Sequence, residues 1–179
     1  MMHQMTYKSP LGDLTLLSDD TYLIGLWIKG QKNYGATYNL KAAERTENKP
    51  IHLAMLWLEQ YFSGNNPDVL DVPLNPEVTS FRNMVLKAVN NVPYGQTITY
   101  KQIANTLQSN DSSKQSNKAR AVGNALGHNP IMIIIPCHRV IGSNGSLMGY
   151  AGGLDRKRSL LNLEQKYQSI EVRNTNGTN

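Results

Sequence analysis

Three prolines, Pro67, Pro73 and Pro76, fall within residues 65–76. A helix interior or a central strand does not tolerate that density, because each proline lacks a backbone N–H and holds its own φ. The segment reads as a linker, and the charge changes sign across it. Residues 1–77 carry 6 Lys+Arg against 9 Asp+Glu, a net of −3, whereas residues 78–167 carry 11 against 3, a net of +8. A basic C-terminal unit beside an acidic N-terminal one is the footprint expected of a surface that docks on phosphates; solubilising surface charge is the plainer alternative. At 179 residues the chain has room for one domain or for two small ones, each with a core.

Ahead of the linker, residues 14–17 and 23–28 are short alternating apolar stretches separated by the turn-like Ser18-Asp19-Asp20, which predicts a β-hairpin or meander. Residues 29–50 are polar and loop-like. Residues 52–62, dense in Leu, Met, Trp, Tyr and Phe, stop at Ser63-Gly64 and predict a buried helix ended by glycine. Beyond the linker, Phe81, Met84, Val85, Ala88, Val89 and Val92 recur at helical spacing, behind Thr79-Ser80 as a cap and ahead of Pro93-Tyr94-Gly95 as a stop. Two short helices follow, over residues 99–107 and 118–127, and their tandem suggests a helix-turn-helix. The Ser/Asn/Lys-rich stretch 108–117 between them is longer than a tight turn. Arg120 lies on the exposed phase of the second, where a guanidinium enters a groove or pairs with phosphate; an ordinary surface arginine is the alternative. The polar residues 166–179 show no apolar period and read as a flexible tail.

The one cysteine, Cys137, sits in Ile133-Ile134-Ile135-Pro136-Cys137-His138-Arg139-Val140. A nucleophile, a base and a phosphate-seeking cation occupy three consecutive positions. With no second cysteine, an intramolecular disulfide, a CxxC pair and a cysteine-rich zinc site are all excluded, so a functional Cys137 acts alone. A buried, inert cysteine is the competing reading. The four histidines, at positions 3, 52, 128 and 138, show no ligand spacing. The N-terminus does not resemble a signal peptide and the longest apolar run, 131–135, is too short to span a bilayer, so a reducing cytoplasm is the expected location, with no membrane partner.

Tyr94-Gly95 to Thr99-Tyr100, Ala119-Arg120-Ala121-Val122-Gly123-Asn124-Ala125-Leu126, Asn129-Pro130, Ile135-Pro136-Cys137-His138-Arg139-Val140 and Gly149-Tyr150-Ala151-Gly152-Gly153-Leu154, in that order and spacing, resemble the O6-alkylguanine-DNA alkyltransferase family. The similarity is close over residues 78–165 and looser over 5–75. It implies an α+β (α/β) protein: an N-terminal ribonuclease H-like α/β domain (1–77), then a mostly helical, winged-helix-like C-terminal domain with a helix-turn-helix (78–167), then the tail (168–179). It also implies direct-reversal repair, in which the alkyl group on O6 of guanine, and less readily on O4 of thymine, moves irreversibly to Cys137. The implied partner is double-stranded DNA, approached through the minor groove by a monomer, with no cofactor.

The chemistry suits the residues. Substitution at an alkyl carbon needs a thiolate, and an ordinary cysteine is mostly protonated at neutral pH, so a base must be supplied. His138 is the candidate, acting through a bridging water because neighbouring side chains rarely face each other. By resemblance, Glu164 orients His138, Arg120 fills the gap in the base stack, and Tyr100 helps to turn the nucleotide out and contacts the flipped base. The same resemblance makes Asn129 a bridge between the recognition helix and the cysteine loop, places Val140, Tyr150 and Ala151 in the base pocket, and puts Arg139 in the DNA-contacting set. Some relatives carry serine at the position of Ala151, so polarisation of O6 falls here to a backbone amide. Relatives with a structural zinc use N-terminal cysteines and histidines; this half has no cysteine and only His3 and His52, so no metal is expected. A helix-turn-helix transcription regulator and a cysteine hydrolase are the rival classes. The first would have no use for Cys137, and the second would turn over.

Overall fold

The computed structural model describes residues 1–107 and 115–176. It opens with an antiparallel sheet, β1 (His3–Ser9), β2 (Gly12–Ser18) and β3 (Leu23–Ile28), in that spatial order, with Tyr7 opposite Leu14 and Leu16 opposite Leu26. The expected meander is therefore present. Leu14, Leu16, Leu26 and Ile28 belong to the main core, while Leu17, Ile24 and Trp27 form a second cluster with Ala43 under Tyr38 and Leu40. The irregular stretch after β3 is thus what covers the second face of the sheet.

The outer edge of β3 pairs with two distant segments. Leu23 N donates to Pro73 O at 2.8 Å and Asn75 N to Leu23 O at 3.0 Å; Leu26 N donates to Pro130 O at 2.8 Å and Met132 N to Leu26 O at 2.9 Å. These parallel bridges satisfy an edge that would otherwise expose unpaired backbone. They also pin the apolar run ahead of Cys137 directly onto the N-terminal sheet.

Helix α1 (Lys49–Phe62) begins at Asn48, whose side chain accepts from Ile51 N, and has a proline in its first turn. Helix α2 (Ser80–Asn90) is capped by the Thr79 side chain, as expected. Its buried face differs from the stripe read off the sequence. Val85, Leu86 and Val89 are buried, whereas Phe81 and Met84 are 39% and 48% exposed, because the packed face is turned toward Leu86 and the first turn projects past the core.

Strand β4 (Ile98–Thr99) leads into α3 (Tyr100–Thr106), closed by a reciprocal cap between Thr99 and Gln102. Helix α4 (Gln115–Gly127) packs on α3 and α2, with Val122, Ala125 and Leu126 inward and Arg120 exposed. Of the polar stretch 108–117, residues 108–114 lie outside the described residues. Strand β5 (Val140–Ile141) pairs in parallel with β4, and α5 (Leu154–Asn176) ends the described chain.

Of the segment expected as a tail, residues 166–176 are helical, as the end of α5. Gln165 Nε2 donates to Gly95 O at 2.8 Å, and the Tyr167 ring lies where a Cβ on Gly64 would sit, so this part of α5 is held against both halves. The main core likewise draws on both sides of the linker, joining Leu14, Ile51, Val85, Val122, Ile131 and Leu160. Among the described residues no helix is long and apolar enough to cross a membrane, and no group of three or more His, Cys, Asp and Glu could hold a metal ion.

Candidate active site

Once Ile131 and Met132 have paired with β3, Ile133 turns the chain at φ 70°. A β-branched residue in that left-handed region costs about 1–3 kcal/mol and persists only where its surroundings impose it. The turn delivers Cys137 to the start of a single 3-10 turn, Cys137–Arg139. Asn129 holds both ends of the reversal: its Nδ2 donates to Ile135 O at 3.0 Å and to Cys137 Sγ at 3.2 Å, and its Oδ1 accepts from Ile131 N at 2.9 Å. Burial pushes the thiol up to about 11, with the Asn129 amide and the Lys157 ammonium pulling in the other direction.

Behind the thiol lies a closed polar cluster. His138 Nε2 is 2.5 Å from Glu164 Oε2, and Arg139 Nε donates to Glu164 Oε1 at 2.6 Å while its second nitrogen donates to Val92 O at 2.8 Å. Tyr61 OH, from α1, donates to Glu164 Oε2 at 3.1 Å. Burial works against the charge on Glu164, yet donation from His138 and Arg139 holds its carboxyl below the usual range. Burial lowers His138 despite its carboxylate partner. An ionised carboxylate only accepts, so Nε2 carries the proton and Nδ1 keeps its lone pair. Nδ1 is buried with no hydrogen-bond partner in the protein.

In front of the thiol is a cavity of about 700 Å³, lined by Cys137, Tyr100, Arg120, Tyr150 and Ala151 together with Lys32 and Asn33 from the N-terminal half. Lys157, fully buried on α5, donates to the carbonyls of Val140 at 2.5 Å and Met148 at 2.8 Å, and lies 5.7 Å from the centre of the Tyr100 ring. Burial lowers Lys157 to about 8. Tyr100 OH donates to Met148 O at 2.7 Å, so one lysine and one tyrosine shape the 148–149 turn from inside. Burial pushes Tyr100 up to about 12.

The sequence-predicted residues therefore divide. Cys137, Tyr100, Arg120, Tyr150 and Ala151 meet at the cavity, Asn129 reaches the sulfur, and His138 and Glu164 pair behind it. Two of the expected residues sit apart from the cavity. Arg139 is 8% exposed, committed to Glu164 and Val92 O, and packed 5.8 Å from the centre of the Tyr94 ring. Val140 does not line the cavity, because its side chain is fully buried and its carbonyl is taken by Lys157. Lys157 and Tyr61 were missed. Lys157, Leu160 and Glu164 share one buried face at i, i+3 and i+7, and a lysine and a glutamate on either side of a buried leucine is a signal that could have been read. Tyr61 gave no sign, being one of several aromatic positions on an apolar helix.

Comparison with known proteins agrees over most of the chain. A family model described as the 6-O-methylguanine DNA methyltransferase ribonuclease-like domain matches residues 2–76, and one described as its DNA binding domain matches residues 80–166. A methylated-DNA--protein-cysteine methyltransferase of Mycolicibacterium paratuberculosis is 40% identical over 96% of this chain and 98% of its own. One from Methanosarcina barkeri is 43% identical over 92% and 98%. The crystal structure of Mycobacterium tuberculosis OGT in complex with DNA superposes with a TM-score of 0.78 at 39% identity, covering 92% of this chain and 94% of that one. Identity at this level over nearly complete lengths, on a fold that brings the shared motifs to one buried thiol, places the chain in the 6-O-methylguanine DNA methyltransferase family.

Proposed function

We propose that this protein repairs alkylated duplex DNA by direct reversal, with Cys137 as the acceptor. The Cys137 sulfur attacks the alkyl carbon on O6 of guanine, or less readily on O4 of thymine. The C–S bond forms as the C–O bond breaks, and the bonding pair leaves with the base oxygen. The thiol proton passes through a water to His138 Nδ1 and is returned from there, through solvent, to the departing base, so atoms and charge balance with no cofactor. The thioether has no onward partner, and each chain acts once.

The observation that carries this reading is the orphaned Nδ1 of His138, whose other nitrogen is locked to Glu164 beside a buried thiol at the bottom of a cavity. A resting pKa of about 11 fits a thiol that is inert until a substrate arrives. The target atom lies inside a stacked duplex, so the nucleotide must be everted at a cost of a few kcal/mol. In this proposal exposed Arg120 on α4 enters the minor groove and fills the gap, while Tyr100, Tyr150 and Ala151 receive the base. The likeness to a relative crystallised with DNA and the match to a DNA-binding family model support DNA as the partner. The same matches favour a division into a ribonuclease-like unit over 1–77 and a DNA-binding, alkyl-accepting unit over 78–167. We place the protein in the cytoplasm, where a lone thiol stays reduced, acting as a monomer.

Intact mass before and after incubation with a duplex containing O6-methylguanine is the direct test. One methyl per chain, located at Cys137, is the expected result, and Cys137→Ala should bind the duplex and gain none. Methyl on another residue, continued turnover, or no transfer overturns the assignment.

A further inference from the structure

We infer that the N-terminal half limits the size of the alkyl group accepted at Cys137, through the loop at residues 30–36 that forms one wall of the cavity. The inference rests on the alkyl-acceptor reading above. Lys32 and Asn33 line the same cavity as Cys137, although they lie on the far side of the linker in sequence. Two hydrogen bonds lock them there: Lys32 N donates to Ala151 O at 3.0 Å, and Asn33 Nδ2 donates to Gly127 O, at the end of α4, at 2.8 Å. Gln31, itself buried, holds the loop from within, accepting from Ile28 N at 2.7 Å and donating to Lys32 O at 3.0 Å.

The backbone here is held in a conformation that side chains resist. Among the described residues three non-glycine positions have positive φ: Asn33 at 57° and Ala36 at 49° in this loop, and Ile133 in the turn before the thiol. Such strain persists where surroundings over-determine it and gathers at ligand clamps. A simple connection from β3 to the covering segment would need neither the strain nor the bonds to Gly127 and Ala151. Because Ala151 is itself a wall residue, the bond from Lys32 sets the width between the loop and the rest of the pocket. A methyl carbon asks little of that width. A benzyl group carries a whole ring beyond the reacting carbon, and the wall cannot recede without breaking both bonds.

The test compares transfer rates from duplexes carrying O6-benzylguanine and O6-methylguanine, read by intact mass. Asn33→Gly keeps the left-handed φ and removes the clamp; Lys32→Ala trims an exposed wall residue with little risk to folding; Lys32→Trp enlarges it. Asn33→Gly and Lys32→Ala should raise the benzyl-to-methyl rate ratio, by about tenfold for the loosened clamp, the scale on which a pocket discriminates a small change in apolar bulk. Lys32→Trp should lower it. Ratios unchanged in all three variants, or equal losses on both substrates, overturn the inference and leave the loop a scaffold. If the parent chain accepts no alkyl group at Cys137 from either duplex, the acceptor reading falls and this inference falls with it.

Discussion

Behind Cys137, four polar side chains from three elements close on one another: Tyr61 on α1, His138 and Arg139 on the 3-10 turn, and Glu164 on α5. In front of it, a cavity of about 700 Å³ is lined by Lys32, Lys101 and Arg120 among its other walls. Cys137, His138 and Arg139 are contiguous in sequence, yet only the cysteine meets the open side. The histidine and arginine turn inward, where a carboxylate matches their donors. The motif is thus two devices joined at one residue, an internal scaffold that sets proton affinity and an acceptor surface that meets the ligand. Substitutions on the two sides should fail differently.

The largest effect is expected behind the thiol. Glu164→Ala leaves His138 and Arg139 buried without their acceptor, and breaking a buried charged pair from one side costs about 3–5 kcal/mol. For a chain of this size that lowers the melting temperature by on the order of 10 °C, and a thermal melt reads it directly. A variant that melts like the parent would show that the cluster is not a scaffold. Asn129→Ala comes next. It strands Ile131 N–H in the interior, at about 1–3 kcal/mol for an unsatisfied group, leaves Ile135 C=O only the Cys137 N–H as a donor, and frees the sulfur from its own donor. Destabilisation in urea together with slower reaction of Cys137 is the expected pair of readings; loss of only one would separate holding the loop from tuning the thiol.

Much of this division was legible, and the parts that were not have a physical reason. The helix cap at Thr79 and the phase of Arg120 are local signals, and they hold in the structure. The direction in which Arg139 points is not local, because it depends on a glutamate twenty-five positions away and a carbonyl forty-seven away. An arginine beside a nucleophile reads as phosphate-seeking until that partner is seen. The same holds for Lys157, whose acceptors are backbone carbonyls that no side-chain pattern announces. The helix over 166–176 is not announced by apolar periodicity, because residues 165–168 dock through Gln165 on Gly95 O and through the Tyr167 ring on Gly64. That the chain after β3 contributes to the cavity could not be read at all, since it follows from the pairing of residues 130–132 with β3.

The meeting point of the two regions can be probed with pH. Burial pushes Cys137 up to about 11, so the thiolate fraction of the free protein grows about tenfold per pH unit throughout the range below that value. Each unit corresponds to about 1.4 kcal/mol between thiol and thiolate. Alkylation of Cys137 by iodoacetamide should keep rising from pH 7 to pH 9 with no plateau. Lys157→Met removes a nearby cation that favours the thiolate and should move the curve to still higher pH. A plateau near pH 7 would mean that the thiol is already ionised at rest and that His138 and Glu164 act before the substrate arrives.

The smallest effect on stability is expected at the open side. Arg120 is exposed on α4, and substitutions at such positions usually stay within about 0.5 kcal/mol. Arg120→Ala should therefore melt with the parent. If Arg120 holds open the gap left by an everted nucleotide, the variant should lose transfer from duplex O6-methylguanine by about tenfold or more, since eversion costs a few kcal/mol that the side chain helps to offset. Transfer from the free base O6-methylguanine needs no eversion and should be unchanged, because Arg120 does not touch the cluster behind the sulfur. An equal loss on both substrates would move Arg120 into the acceptor chemistry, and no loss on either would return it to ordinary surface charge.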